Sequence, residues 1–206
     1  MSIADDKAEL RARVRTSRRL RTESDGRRDA EGLLQIGSSR PELAQARELT
    51  AYVALTGEPD VGPLCEQLRA SGTKIWLPVV THADDTPMLT WADAAEGVAP
   101  GARTPTGAVL LEPVGERHDR ITPDVVLVPG LAVDLTGARL GQGAGYYDRT
   151  VERSRWSHGR PGIDRPWLVA VLHDDEVLPQ VPAEDHDVRA DAICTPSRWI
   201  RVGGRS

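Results

Sequence analysis

A glycine-rich segment, residues 129–149, holds the side chains in this sequence that are best placed to do chemistry. It is PGLAVDLTGARLGQGAGYYDR, and it directly follows the short apolar run DVVLV. This order predicts a buried strand, a glycine-rich loop and then a helix that starts at Tyr146. In that arrangement backbone N–H groups and the helix dipole converge on an anion, and alternate glycines let the main chain come close to it.

Charged side chains of the same segment fit a bound phosphate. Arg139 supplies a positive charge and a fork of donors, while Asp134 and Asp148 bracket the loop and magnesium prefers such oxygen ligands. Known phosphate fingerprints do not match, because the last three glycines give GxGxG instead of GxGxxG and the chain has no Gly-Lys pair for a P-loop. The segment therefore indicates either a nucleotide or phosphate site or a tight structural turn.

Short apolar runs alternate with helical stretches along most of the chain, which is typical of an α/β sheet covered on both faces. The predicted helices are 4–21, a helix capped by Ser24 and ended by Gly37, 60–70 and the segment from Tyr146. The predicted strands are 49–55, 74–80, a short edge strand at 88–91, 124–128, 167–172 and 191–194, with loops at 81–87 and 96–107. We expect a single three-layer α/β/α domain with a mostly parallel sheet and a site at the carboxyl ends of its strands.

Length and composition exclude several classes of protein. With 206 residues, against about 150 for a typical domain, the chain is expected to form one domain over 1–206. Its 39% hydrophobic and 28% charged residues are ordinary globular values, and no run approaches the roughly 20 apolar residues of a membrane helix. The two cysteines form no spaced motif and the N-terminus has no apolar signal region, so a cytoplasmic protein is expected.

The N-terminal segment is basic although the whole chain has a net charge of −5. Residues 1–28 hold Lys7 and eight arginines against five acids. Such an arm suggests an anionic partner, and a solvated helix face is the alternative. The negative charge of the whole chain argues against a nucleic acid as that partner.

The glycine-rich segment resembles the signature of the 5-formyltetrahydrofolate cyclo-ligase (methenyltetrahydrofolate synthetase) family. That signature has Pro-Gly-Leu-Ala, a Phe-Asp pair, Gly, and then Arg-Leu-Gly-x-Gly-x-Gly-Tyr-Tyr-Asp-Arg. Further matches follow in order at Lys7, Leu10, Arg11, Glu58, Pro78, Gly107, Glu112, Pro113, Pro182, Glu184, His186, Asp187 and 191–195. Val133 replaces the usual Phe, and Gln142 and Ala144 stand where many relatives carry other residues, cations among them.

The resemblance implies an ATP- and Mg²⁺-dependent ligase that converts 5-formyltetrahydrofolate to 5,10-methenyltetrahydrofolate and releases ADP and phosphate. In this chemistry the formyl oxygen is phosphorylated first and nitrogen 10 then closes the ring. The resemblance also implies a sugar-phosphate isomerase/CoA-transferase-like fold. The expected partners are small molecules, folate and ATP, with no nucleic acid and no membrane, and the chain is expected to be a monomer or a weak homodimer.

The family's functional positions carry over to named residues of this chain. The implied ATP-binding residues are Lys7, Ala8, Glu9, Leu10, Arg11, Arg139, Leu140, Gly141, Gln142, Gly143, Ala144, Gly145, Tyr146 and Tyr147. The implied folate-side residues are Val53, Glu58 and residues 141–145, the metal ligands are Asp148 and Asp187, and the catalytic residues are Arg139 and Tyr147. The helix in residues 1–22 is expected to pack over the nucleotide site.

Structural alternatives remain for several of these residues. Asp148 alternatively serves a helix dipole, Asp187 is loop charge and Glu58 starts a helix. His173 and His186 are weaker candidates for the cleft. Two other functions also remain: a paralogue that binds folate or nucleotide without turnover, and an ATP-dependent ligase for another formylated or carboxylated metabolite.

Overall fold

Five parallel strands form the centre of a seven-stranded sheet. The structure is a computed structural model that describes residues 2–83, 86–103, 107, 109–143, 145–147, 150, 165–184 and 187–203. Its helices are α1 (Ile3–Arg18), α2 (Glu23–Ser38), α3 (Pro41–Ala44) and α4 (Gly62–Ala70), with short 3-10 turns at Ala94–Glu96 and Asp174–Glu176. Its strands are β1 (Glu48–Thr50), β2 (Lys74–Ala83), β3 (Thr86–Asp93), β4 (Val98–Arg103), β5 (Val109–Pro113), β6 (Val125–Pro129), β7 (Ala132–Asp134), β8 (Arg139–Leu140), β9 (Trp167–Val171), β10 (Val177–Leu178), β11 (Ala192–Cys194) and β12 (Trp199–Arg201).

The strand order of the main sheet is β12-β11-β9-β6-β1-β2-β3. The five inner strands are parallel, and β12 and β3 are antiparallel edge strands. Strands β10-β7-β8 form a second, three-stranded sheet, and β4-β5 form a hairpin. This arrangement confirms the predicted mixed α/β architecture with a large, mostly parallel sheet.

Capping boxes start the first two helices. The hydroxyl of Ser2 accepts from the Asp5 amide, and the Asp5 carboxylate accepts from the Ser2 amide. Thr22 and Asp25 repeat this exchange at α2. The prediction that Ser24 caps the second helix was therefore wrong by two residues, because Thr22 has the partner three positions later that a capping box needs.

The observed strands do not fully coincide with the strands and loops predicted from the apolar runs of the sequence. The run predicted as a strand at 49–55 forms a strand only to Thr50, although Ala51 and Tyr52 are buried in the core. The predicted loops at 81–87 and 96–107 were also wrong in part, because β2 and β3 pair from Trp76–Asp93 out to Ala83–Thr86 and β4 occupies Val98–Arg103. Edge hairpins tolerate the Pro and Gly that suggested a loop there.

The two faces of the main sheet carry different layers. On one face Leu33 of α2, Leu43 of α3 and Leu64 of α4 pack with alternate residues of the parallel strands. On the other face, Val133 of β7 packs against Val128 and its neighbours. The helix predicted from Tyr146 lies largely outside the described residues, so a helical layer on this face stays a prediction.

Helix α1 packs on the small sheet instead of the main one. Leu10 and Val14 form an apolar cluster with Leu131, Leu140 and other residues of the small sheet. This placement lays α1 along the segment that leads from β6 through β7 and β8 into the glycine-rich loop. None of the helices in the described part of the chain is long and apolar enough to cross a membrane.

Asp134 holds the β7–β8 hairpin together. One carboxylate oxygen accepts from the amide and hydroxyl of Thr136 and from the Ala138 amide, and the other accepts from the Val181 amide at 2.9 Å. Burial alone would raise the pKa of Asp134, but these hydrogen bonds outweigh it and lower the pKa below its ordinary value. The stabilisation is therefore present above the ordinary pKa of an aspartate and is lost as the pH falls through the lowered value.

We expect Asp134→Asn to lower the free energy of unfolding by about 1–3 kcal/mol at pH 7, because an amide places N–H groups against backbone donors. Urea unfolding of both proteins at pH 7 and pH 3 measures this effect. The difference in unfolding free energy between them should be smaller at pH 3. Asp119→Asn, at an exposed position, is the matched control. An equal loss in both variants would contradict the role given to Asp134.

Candidate active site

The glycine-rich segment divides into a hairpin and a loop. Gly137 lies in the β7–β8 turn with a φ of 81°, where a Cβ would come within 2.4 Å of the Ala190 carbonyl oxygen. The following loop contains Gly143 and Gly145, whose φ values of 104° and 65° also favour glycine. The predicted direct order of strand, loop and helix is thus interrupted by a hairpin, and the candidate phosphate loop shrinks to residues 141–145, of which Ala144 is not described.

Two arginine side chains of α1 donate hydrogen bonds to backbone carbonyls of this loop. Arg11 donates from Nε to the Gly141 carbonyl at 3.0 Å, and Arg15 donates from Nη2 to the Gln142 carbonyl at 2.8 Å. Lys7, Arg11 and Arg15 are spaced four residues apart, so they lie along one face of the helix. Leu10, by contrast, is in the apolar cluster below α1, and the predicted ATP-binding residues Ala8 and Glu9 are exposed.

Lys7 bridges α1 to a loop near the C-terminus. Its Nζ lies 2.7 Å from Glu184 Oε2 and 2.7 Å from Asp187 Oδ2, and its side chain is 11% exposed. Burial would lower the pKa of Lys7, but hydrogen bonds and the charges of these two carboxylates outweigh it and raise the pKa. Lys7 is therefore a charged ammonium that ties α1 to the segment containing Glu184 and Asp187.

Asp187 is the predicted metal ligand that the structure describes, and Asp148 lies outside the described residues. Asp187 Oδ2 accepts from Lys7 and from the Glu184 amide. No cluster of three or more His, Cys, Asp or Glu side chains in the described ranges could hold a metal ion. Magnesium usually takes one or two carboxylates and fills its other positions with phosphate oxygens and water, so an oxygen donor such as Asp187 beside a phosphate site fits it.

Arg139 lies buried between the end of β6 and the glycine-rich loop. Its Nη1 donates to the Pro129 carbonyl at 3.1 Å, and the residue is 7% exposed. A Cβ at Gly130 would lie 3.2 Å from Arg139 Cγ, and one at Gly141 would lie 3.0 Å from Nη1. Gly130 therefore leaves space for the aliphatic stem of Arg139, and Gly141 leaves space for its guanidinium. Leu140, its neighbour, packs in the cluster below α1.

The two tyrosines that follow the loop pack against apolar clusters. Tyr146 and Tyr147 contact the cluster around Trp76 and Trp91, and Tyr147 also contacts the cluster on the second face of the main sheet. Burial and then the charge of Glu58 raise the pKa of Tyr147. Tyr147 therefore keeps a neutral hydroxyl, which is able to donate a hydrogen bond.

Glu58 contacts the glycine-rich loop through the side chain of Gln142. Its Oε1 accepts from Gln142 Nε2 at 3.0 Å, and its Oε2 accepts from the Leu55 amide at 3.0 Å. The Gln142 side chain also accepts from Arg15 through its Oε1. Gln142 thus joins α1 to the predicted folate side, while Val53 lies at the edge of the main core cluster.

Two groups were missed or undervalued from the sequence. Arg15 was not predicted, although its spacing from Lys7 and Arg11 was a usable signal. Arg18 forms a buried pair with Glu176 at 2.7 Å and donates to the Gly130 carbonyl at 2.6 Å, which no local pattern indicated. His173 is buried and contacts Asp29 and the Gly57 carbonyl, while His186 lies outside the described residues.

Known proteins resemble this chain over nearly its whole length. The model of the 5-formyltetrahydrofolate cyclo-ligase family matches residues 3–196. A 5-formyltetrahydrofolate cyclo-ligase of Mycolicibacterium smegmatis is 35% identical over 201 residues, covering 94% of this chain and 95% of the relative. One from Escherichia coli K12 is 30% identical over 164 residues, covering 77% and 82%.

A solved structure agrees with these sequence relatives. The NMR structure of the 5,10-methenyltetrahydrofolate synthetase of Aquifex aeolicus matches with a TM-score of 0.76 and 28% identity, covering 97% of this chain and 95% of that one. The predicted resemblance and the prediction of a ligase are confirmed by the breadth of these matches. The chain belongs to the 5-formyltetrahydrofolate cyclo-ligase family.

Proposed function

We propose that the chain catalyses the ATP- and magnesium-dependent conversion of 5-formyltetrahydrofolate to 5,10-methenyltetrahydrofolate, with release of ADP and phosphate. Family membership supports this proposal. The observation that carries it is that Gln142 contacts both Arg15 of the cationic helix face and the carboxylate of Glu58. A side suited to phosphates and a side suited to a donor-rich ring therefore meet at one glycine loop.

The nucleotide is assigned to the space between α1 and the loop. Lys7 and Arg11 neutralise phosphate charge, and α1 closes over the triphosphate. Arg139 lies below the loop and meets the transferred phosphoryl group. The assignment extends over Lys7–Arg11 and Arg139–Tyr147, within which Leu10 and Leu140 serve by packing.

A magnesium ion at this site would be held by Asp187 together with Asp148. When bound, it offsets negative charge on the phosphates. In the structure the Lys7 ammonium lies 2.7 Å from Asp187 Oδ2 and neutralises that carboxylate. Lys7 thereby orients the Asp187 carboxylate beside the phosphate site.

The folate is assigned to the side of Glu58, Val53 and the loop 141–145. The Glu58 carboxylate accepts hydrogen bonds, and the amino and ring N–H groups of a pterin are donors. The contact between Gln142 and Glu58 keeps this carboxylate beside the loop. The formyl group of a folate bound there would lie close to the phosphates.

The chemistry needs two steps. The formyl oxygen attacks the γ-phosphorus of ATP, the bond to ADP breaks, and nitrogen 5 gains a double bond to the activated carbon. Nitrogen 10 then attacks that carbon, phosphate leaves with the former formyl oxygen, and nitrogen 10 loses its proton. Arg139 stabilises charge on the moving phosphoryl group, and the neutral hydroxyl of Tyr147 donates to an oxygen of the intermediate.

Finer expectations about the whole chain belong to the same proposal. We assign it a sugar-phosphate isomerase/CoA-transferase-like fold as one domain, a cytoplasmic location and a monomeric or weakly dimeric state. Both cysteines, Cys65 and Cys194, carry free thiols, and burial raises the pKa of each to about 12. Free thiols are typical of proteins in a reducing compartment.

An absorbance assay tests the proposed function directly. The methenyl product has a longer conjugated system than the substrate, so its formation from 5-formyltetrahydrofolate appears as a new absorbance at longer wavelength. We expect this rise only when ATP and magnesium are both present. Folded protein that binds ATP and gives no product would point instead to a ligase with another substrate.

Lys7→Met should raise the KM for ATP about tenfold or more, because one charge-assisted contact with phosphate is worth about 1.5–3 kcal/mol. The KM for the folate should change much less. Arg13→Met, at an exposed position of the same helix, is the matched control and should behave like the unmodified protein. Equal increases of both KM values in Lys7→Met would remove Lys7 from the nucleotide side.

Glu58→Gln should raise the KM for 5-formyltetrahydrofolate about tenfold and leave the KM for ATP nearly unchanged, because the amide replaces one acceptor oxygen with a donor. Steady-state kinetics with each substrate varied in turn measures this. Glu66→Gln, an exposed acid on α4, is the control. A selective change in the KM for ATP would place Glu58 at the nucleotide instead.

A further inference from the structure

The backbone on both sides of Glu58 is fixed by buried side chains. Glu58 lies between β1 and α4 in a stretch without regular secondary structure. The carbonyl before it, that of Gly57, lies 3.1 Å from His173 Nε2. The carbonyl after it, that of Pro59, accepts from the Tyr52 hydroxyl at 2.8 Å. The direction of the Glu58 side chain therefore depends on two contacts made by other segments.

His173 is bound at both ring nitrogens. Its side chain is 3% exposed, and Nδ1 lies 2.7 Å from Asp29 Oδ2. A carbonyl oxygen only accepts, so the contact with Gly57 is a hydrogen bond when Nε2 carries the ring proton. The carboxylate of Asp29 holds the other side of the ring. Rotation of the ring would therefore break two buried contacts.

The supports of His173 come from three elements. Asp29 belongs to α2 and also pairs with Arg21 at 3.3 Å. The His173 amide donates to Glu176 Oε2 at 3.0 Å, and Glu176 is the buried partner of Arg18 on α1. His173 itself follows the carboxyl end of β9. The imidazole is thus held from α2, and the backbone of His173 is held through Glu176, which pairs with Arg18 of α1.

The backbone conformation of this turn favours glycine at position 57. Its φ of 82° lies in the left-handed region, and a Cβ there would lie 3.3 Å from Arg18 Cβ. The turn is therefore held between Arg18 on one side and His173 on the other. A shift of the Gly57 carbonyl would carry Glu58 with it.

We propose that His173 is a positioning residue for folate binding, which fixes the carboxylate of Glu58 through the carbonyl of Gly57. This inference rests on the proposed function of Glu58 and deepens it. His173 acts through the backbone and not by contact with the substrate. His173 has no part in the proposed chemical steps, although this residue is buried two positions after the end of β9.

A matched pair of variants tests the inference. The amide nitrogen of His173→Gln can take the position of Nε2 and keep the bond to Gly57, whereas that of His173→Asn takes the position of Nδ1 and keeps only the bond to Asp29. We expect His173→Asn to raise the KM for 5-formyltetrahydrofolate about fivefold, the effect of one lost hydrogen bond. The KM for ATP should stay within about twofold, and His173→Gln should lie close to the unmodified protein.

Calorimetric binding of 5-formyltetrahydrofolate without ATP gives a readout that does not need turnover, and the same order of affinities is expected. Gly57→Ala moves the same turn from the Arg18 side, so it should reproduce the selective loss if His173→Asn does not fold. Equal effects on both substrates, or no difference between the Asn and Gln variants, would overturn the inference while the proposed function stands. Failure of the unmodified protein to form product would overturn both.

Discussion

The buried ion pair between Arg18 and Glu176 holds the end of α1 against the carboxyl ends of β6 and β9. Both side chains are about 5% exposed or less, and Arg18 also donates to the Gly130 carbonyl. Removing one partner of such a pair typically costs about 3–5 kcal/mol, because the other charge stays buried. With this end fixed, the four-residue spacing along α1 brings Arg15 and Arg11 to the glycine loop and Lys7 to Glu184 and Asp187.

The shape of the loop depends on the absence of side chains at its glycines. Gly130 and Gly141 make room for the stem and the guanidinium of Arg139, and Gly143 takes a φ that other residues avoid. Gln142, between two glycines, then joins the helix side to Glu58. The sequence departure at Gln142 is therefore a bridge in this protein, where a cation would meet Arg15 at close range.

Local patterns predicted the α/β sheet and the glycine turns, which depend on nearby residues. The parallel sheet follows from the periodicity of short apolar runs, whereas the site role of Arg139 came from the resemblance to a family signature and stays a prediction. The end of β1 and the presence of β4 were missed because apolar content indicates burial, whereas strands begin and end where backbone pairing does. The contacts of Arg18 and His173 were missed because their partners lie 158 and 144 residues away along the chain. The roles given to the site residues, Val53, Asp148 and Asp187 among them, all stay predictions.

The long sequence separations of the α1 contacts have a consequence for the order of assembly. The partners of helix α1 at Gly141, Glu176 and Asp187 are synthesised 130 to 180 residues after it. Contacts this distant close large loops, and their entropy cost must be met before they contribute. On the ribosome, α1 therefore stays undocked until these partner segments have emerged. The contacts between α1 and the glycine-rich loop form late in the synthesis of this protein.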